Sequence, residues 1–348
     1  MLACAFRQYL FAAAAAALLM ASQTASAGAD DDRALINACW SAQELAGKVG
    51  EAARKRDRTF DTPPTEASPV EGWPGVPVES APPDALGAIR SVTLPPGRKL
   101  IALTFDLCEQ PGEIAGYDGA IIDFLRRENI KATFFAGGKW MRSHAERTRQ
   151  LMADPLFEMA NHSEAHRNLR LLNGQRLIDE VAGPQRAYES IRADLASSQC
   201  AAAHPAAMQS IAPRLKLFRF PYGACNAQAL REIHDQGLRA IQWNLSTGDP
   251  SQGQSAAAII RAMAGAQPGA IVLNHANGRG WHTAAALPQA IARLRARGFE
   301  FVTVSELLAA GEPVIVPGCY DSRPGDTNRY DNLARGLRPA HRAKTKLQ

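Results

Sequence analysis

His162 and His166 stand four residues apart in the stretch Asn161-His162-Ser163-Glu164-Ala165-His166. At that spacing two imidazoles can lie on one face of a helical turn and grip a single metal ion. A carboxylate on a separate strand would complete a facial site with positions open for water and substrate. The spacing alone is a weak signal, because surface histidines fall at it by chance. Its weight comes from four other segments that carry residues able to work around a metal.

The first is Leu103-Thr104-Phe105-Asp106, an apolar strand that delivers a carboxylate at its last residue. Asp106 there could ligate a metal or act as a general base toward water; the plainer alternative is a loop or capping aspartate. Glu109, Glu113 and Asp118 follow closely, and a solvated acidic loop is the alternative for them. The second is Phe218-Arg219-Phe220-Pro221-Tyr222-Gly223. Proline after a strand cannot donate to the ladder and forces a turn. The turn would free the Tyr222 N–H to face a developing oxyanion, and Arg219 could hold a carboxylate bidentately. The third segment contains Trp243 and Gly248-Asp249-Pro250, and the fourth is Ile271-Val272-Leu273-Asn274-His275. A histidine at a strand end suits a general acid that protonates a leaving amine, although a lone histidine there is more often packed or capping.

These segments need elements to hold them. Apolar periodicity predicts a helix over 33–56, then an extended Pro-rich stretch from Thr62 to Pro83. From Leu100 the texture alternates. Strands are expected at 100–105, 132–135, 215–220, 238–243, 270–273 and 299–304. Helices are expected at 119–128, 175–195 (interrupted near Gly183-Pro184), 227–235, 255–263 and 283–297. A capping box of Ser143 with Glu146 is expected to open another, running through Met152. Such alternation implies parallel pairing, in an open doubly wound sheet or a barrel. A barrel gathers its functional groups at the strand C-terminal ends, where Asp106, Arg219 and His275 fall.

In order, Thr104-Phe105-Asp106, His162-x-x-x-His166, Arg219-x-Pro221-Tyr222, Asp249 and Leu273-x-His275 resemble the motifs of the NodB-type polysaccharide deacetylases, carbohydrate esterase family 4. The resemblance spans roughly residues 98–309. It implies an α/β fold, a distorted (β/α) barrel of the polysaccharide deacetylase type, with an N-terminal helical and Pro-rich extension. It implies a divalent metal ion, zinc being the one expected, and hydrolysis of acetyl groups on an acetylated polysaccharide or oligosaccharide. Carried over, His162 and His166 become metal ligands, Asp106 the base and His275 the acid. Arg219 would orient Asp106, Asp249 would tether Arg219, and Tyr222 would supply the oxyanion N–H. Leu273 would line the acetyl pocket, and Trp243 is assigned with it to substrate binding. Two positions depart from the family. It usually has a second aspartate, a metal ligand, where this chain has Leu107, so Glu109 or Asp118 is expected to replace it. Pro250 stands where the family often has a groove-lining tryptophan. The reading favoured is N-deacetylation of an envelope or extracellular polysaccharide. O-acetyl ester hydrolysis and a non-catalytic glycan-binding module that lost its metal are the alternatives.

The 348 residues divide into an expected signal peptide (1–27), an N-terminal segment (28–97), the barrel domain (98–309) and a C-terminal tail (310–348). Arg7, the apolar run Leu10 to Met20 and Ala25-Ser26-Ala27 fit a cleaved leader, leaving no stable membrane anchor. The mature chain is then periplasmic or secreted, where disulfides persist. Formal net charge is +5, with basic residues scattered apart from Arg54-Lys55-Arg56 and the tail 338–346. Without a recognition motif, nucleic acid is not an expected partner. Five cysteines follow the leader. Cys108 with Cys225, at one rim, and Cys39 with Cys319 are the expected pairs, leaving Cys200 free.

Overall fold

Leu100–Leu107 forms a strand buried along its whole length, and the rest of the fold is arranged around it. The computed structural model describes residues 33–57 and 86–334; the expected leader, the Pro-rich stretch and the basic tail lie outside them. In chain order the main sheet consists of β1 (Ala88–Thr93), β2 (Leu100–Leu107), β3 (Ala132–Ala136), β4 (Phe157–Asn161) and β5 (Leu217–Phe218). It continues with β6 (Arg239–Ile241), β7 (Leu245–Ser246), β8 (Ile271–His275), β9 (Glu300–Val302) and β10 (Glu312–Val316).

Across the sheet the order is β10-β1-β6-β5-β4-β3-β2-β8-β7, with β9 also on β2. Every pairing is parallel except β10 with β1. β2 serves β9 with Leu100–Ala102 and β3 with Thr104–Leu107, along one edge. An isolated bridge between Ser91 and Ala270 brings β1 against the start of β8, so the mixed sheet curls into the distorted barrel expected from the sequence.

Strand alternation sorts β2 into two faces. Ile101, Leu103, Phe105 and Leu107 pack into the core beneath the outer helices, with Ile121, Phe134 and Leu287 among their neighbours. Leu100 and Ala102 belong instead to the barrel interior, with Phe135, Leu217, Trp243 and Leu273. Thr104 and Asp106 continue that inward row, so the aspartate arrives inside the barrel at its C-terminal mouth.

Several expected elements differ. The helix over 33–56 is two short helices, Ala34–Cys39 and Ala42–Leu45, because Ser41 and Glu44 form a capping box that restarts the chain. The Ser143–Glu146 box does not form. Helices Gly138–Ser143 and Ala145–Ala153 meet at His144, and the Ser143 hydroxyl donates to Glu109 instead. Helix Gly174–Ala196 runs unbroken through Pro184. β1, β4 and β10 have no counterpart among the expected elements.

The cysteine pairing differs too. The bonds are Cys39–Cys200 and Cys225–Cys319, and Cys108 is free and buried. Cys108 follows the inward row of β2, so its thiol faces the barrel mouth, not the Cys225 loop. Asn277 Nδ2 donates to its Sγ at 3.1 Å. Cys225 is therefore left to the C-terminal segment, and Cys200 reaches the first described helix.

Candidate active site and metal-binding cluster

The parallel register sets Asp106 beside His275 across β2 and β8. His162 and Arg219 each follow the last residue of their strands, and each backbone N–H extends the ladder by one bond, to Ala136 O at 3.0 Å and Asn161 O at 2.9 Å. Four of the expected side chains thus reach one rim through sheet geometry alone.

Arg219 is completely buried. Its Nη1 donates to Asp106 Oδ1 at 2.8 Å and to Thr104 Oγ1 at 2.7 Å. Nε and Nη2 donate to the carbonyls of Ile241 and Gln242, both at 3.3 Å. The guanidinium lies 3.9 Å over the Phe135 ring. Burial pushes the Asp106 carboxyl up, but the Coulomb pull of His162, in its protonated form, and of Arg219 more than offsets this and holds it below the ordinary range.

Asp249 does not tether the arginine. Its Oδ1 is 2.9 Å from His275 Nδ1, and its Oδ2 accepts from the His275 N–H at 2.8 Å and Thr283 Oγ1 at 2.7 Å. Arg219 already spends its donors on Thr104, Asp106 and two carbonyls, so the aspartate is left to hold the histidine. Burial pulls the His275 pKa down, yet the Asp249 charge and hydrogen bond outweigh it and raise the value. The same bond directs Nε2 away from Asp249.

His162 Nδ1 lies 2.8 Å from the Arg219 carbonyl. A carbonyl only accepts, so Nδ1 carries the proton and the Nε2 lone pair is free. Nε2 lies 3.3 Å from Asp106 Oδ2. His166 follows not on a helix but through a loop with two left-handed residues, Ser163 (φ 65°) and His166 (φ 52°). Asn161 Oδ1 accepts from Ser163 N, and Ser163 Oγ from His166 N.

This loop docks on the proline-containing helix. Pro184 has no N–H to give the carbonyl four residues earlier. That carbonyl, of Glu180, accepts from Glu164 N at 2.8 Å. The Glu180 carboxylate accepts from Ala165 N at 3.0 Å, and Asn161 Nδ2 donates to Val181 O at 2.8 Å.

Among the described residues, His162 Nε2 and His166 Nδ1 are buried without a hydrogen-bond partner. Burial first, and His162, Arg279 and His275 besides, lower the His166 pKa well below its ordinary value, so the ring is neutral. Two bare, neutral imidazole nitrogens fit a divalent metal. The acceptor atoms of Cys108, His162 and His166 lie within 4.8 Å of one another.

The expected carboxylates do not join this cluster. Glu109 Oε1 accepts from Ser143 Oγ at 2.8 Å and lies 3.2 Å from Lys139 Nζ, while Oε2 accepts from Ala115 N at 3.0 Å. Asp118 sits at the start of helix Gly119–Arg127, where burial pushes its carboxyl up. Leu107 points into the outer core, and the inward row passes from Asp106 to Cys108.

Tyr222 also takes a left-handed backbone (φ 61°) after Pro221. Its ring stands edge-on to His166 at 4.5 Å and stacks on Tyr330 at 4.9 Å. Burial first pushes its phenol up to about 12. A groove of about 940 Å³ opens here, lined by His166, Arg167, Arg170, Tyr222, Asn226 and Tyr330 among others. Trp243 and Leu273 do not line it; they are buried in the barrel interior, with Trp243 Nε1 donating to Asp321 Oδ1 at 3.0 Å. Sequence reasoning missed Cys108, Glu180 and Tyr330. The first was legible in the even-numbered inward row of β2; the other two come from distant segments with no motif.

Residues 93–241 match the family model for polysaccharide deacetylase. The chain is 31% identical over 209 residues to the peptidoglycan-N-acetylglucosamine deacetylase PgdA of Listeria monocytogenes, covering 60% of this chain and 39% of that relative's length. It is 27% identical over 179 residues to a chitooligosaccharide deacetylase of Rhizobium leguminosarum bv. phaseoli, covering 51% and 69%. Among solved structures, the Bc1960 peptidoglycan N-acetylglucosamine deacetylase aligns with TM-score 0.53 at 22% identity, over 66% of this chain and 96% of that one. A CE4 family pseudoenzyme from Bacillus anthracis aligns with TM-score 0.51 at 23% identity, over 64% and 69%. At those identities the structural likeness is one of fold. Motif order, family match and fold agree: residues 93–241 form a polysaccharide deacetylase domain.

Proposed function

We propose that this protein is an exported, divalent-metal-dependent hydrolase that removes N-acetyl groups from an envelope or extracellular polysaccharide. One observation carries the reading. Asp106, held by Arg219, faces the free nitrogen of His162 while Asp249-bound His275 stands opposite in register. The named activities of the Listeria and Rhizobium relatives support the substrate class. Export rests on the leader-like N-terminus; among the described residues no helix is long and apolar enough to cross a membrane.

His162 and His166 would hold the ion, for which zinc suits the imidazole donors. Bound there, it would supply Lewis-acid polarisation of the acetyl carbonyl and of the attacking water. Asp106 takes a proton from that water as its oxygen adds to the carbonyl carbon. The Tyr222 N–H, presented by the turn after Pro221, donates to the oxyanion. His275 gives a proton to the departing nitrogen as the C–N bond breaks, leaving acetate and a primary amine. Arg219 keeps Asp106 ionised and aimed.

The same attack would open an O-acetyl ester, but the raised His275 pKa favours the amide. An amine leaving group needs a protonated acid more than an alkoxide does. The test is acetate and amine release from chitooligosaccharides, peptidoglycan and an O-acetylated glycan, with zinc or cobalt supplied. Amine formation with acetate is expected. Release from the O-acetyl substrate alone would make it an esterase, and release from none of them would leave a binding module.

A further inference from the structure

Cys108 lies beside His162 and His166, one residue past the position where the family's usual carboxylate is replaced by Leu107. We propose that its thiolate is the third protein ligand, giving a His2Cys site selective for thiophilic ions such as zinc, cobalt or cadmium over magnesium or manganese. The inference rests on the metal-dependent reading above.

Three observations meet. Leu107 is fully buried in the outer core, so its position cannot offer a ligand. The next inward residue is Cys108, whose Sγ lies within 4.8 Å of ring nitrogens on both histidines. His162 is 1% exposed and its Nε2 has no hydrogen-bond partner among the described residues. Zinc–sulfur and zinc–nitrogen bonds of about 2.3 and 2.1 Å at a tetrahedral angle set two ligand atoms about 3.6 Å apart. Closing the cluster by about 1 Å through side-chain rotation therefore seats an ion.

Support around the thiol is in place. Asn277 Nδ2 donates to Cys108 Sγ at 3.1 Å and to the Cys108 carbonyl at 2.6 Å, fixing the side chain from outside the cluster. The other cysteines of the described residues are tied in disulfides, so Cys108 is the free thiol among them. On ion binding the S–H bond breaks, the sulfur–metal bond forms, and the proton leaves to solvent. A three-ligand tetrahedral site keeps one position open, as catalytic zinc sites do.

The test is the electronic spectrum of the full-length protein stripped with chelator and loaded with one equivalent of cobalt(II). A thiolate ligand gives an intense sulfur-to-cobalt charge-transfer band in the near ultraviolet, beside the weaker visible bands of a tetrahedral ion. Wild type is expected to show it. C108S and C108D should lose it, and C108D should keep the visible bands. Loss of an outer-sphere partner alone costs about 10–100-fold in metal affinity, so C108S should bind cobalt at least about that much more weakly. C108D should also shift preference toward manganese. Wild type holding cobalt without the band, or C108S retaining it, overturns the proposal, as does a wild type that takes up no cobalt. The two readings fail separately. Acetate release without the band refutes the thiolate alone; the band without acetate release refutes the deacetylase alone.

Discussion

The Arg219 carbonyl accepts the Nδ1 proton of His162 at 2.8 Å while the guanidinium of the same residue holds Asp106. One residue thereby sets the tautomer of a proposed metal ligand and the aim of the proposed base. The pairing is structural as well as chemical, because Arg219 and Asp106 are both buried. Arg219→Lys cannot reach Thr104, Asp106 and two carbonyls from a single ammonium. Breaking a buried pair costs about 3–5 kcal/mol. At about 2–4 °C per kcal/mol for a domain of this size, the melting temperature should fall by roughly 6–20 °C. Acetate release should drop about 100-fold or more from misplacement of the base. A melt within about 2 °C of wild type would show that the network is not holding the rim.

Asp249 should set the basic limb of the pH–rate profile. Burial lowers the His275 pKa, and the Asp249 charge and hydrogen bond more than restore it. An acid works only while protonated, so activity is lost as pH rises through that value. Asp249→Asn removes the raising influence and leaves the desolvation. The basic limb should therefore move to lower pH, measured as kcat/KM across pH. A limb that stays in place would mean another group sets it.

Glu180 should act on metal affinity without touching the metal. Its carboxylate and the carbonyl freed by Pro184 hold Ala165 and Glu164 between the two histidines. Glu180→Ala should weaken zinc binding about 10–100-fold, as outer-sphere losses do. Glu180→Gln keeps an acceptor and should bind much closer to wild type. A competition titration against a chromophoric chelator reads both. Unchanged affinity in the alanine variant would remove the loop from the account.

The C-terminal segment should govern longer substrates. Cys225–Cys319 fastens it beside the Tyr222 turn, and Arg170 pairs with Asp331 at 2.7 Å next to Tyr330. Replacing both cysteines of this bond with serine should cost about 2–5 kcal/mol of stability. Tyr330→Ala removes an aromatic wall, which at about 0.5–1.5 kcal/mol corresponds to a rise in KM of roughly 2–10-fold. Longer oligomers should be affected more than a disaccharide, with kcat nearly unchanged. Equal effects at every chain length would place Tyr330 outside the substrate path.

Much of the rim was legible because parallel strands print their ends into the sequence. Asp106, Arg219 and His275 each close an apolar run, and their motifs come in family order. What escaped was set by packing between segments far apart. The spacing of His162 and His166 suggested a helical turn, but two left-handed residues make it a loop. Its docking depends on Pro184, which reads as a break from sequence and instead frees a carbonyl. The cysteine pairs followed the wrong rim logic, because strand alternation turns Cys108 inward. The same alternation disqualifies Leu107, and counting the inward row from Leu100 would have pointed to Cys108 before Glu109.

The central claim is metal-dependent deacetylation with Asp106 as base. Chelator-stripped protein should release no acetate from N-acetylglucosamine oligomers. One equivalent of zinc should restore release in wild type, while Asp106→Asn binds the zinc and stays silent. Release that persists in chelator, or an Asp106→Asn variant as active as wild type with zinc bound, would contradict it.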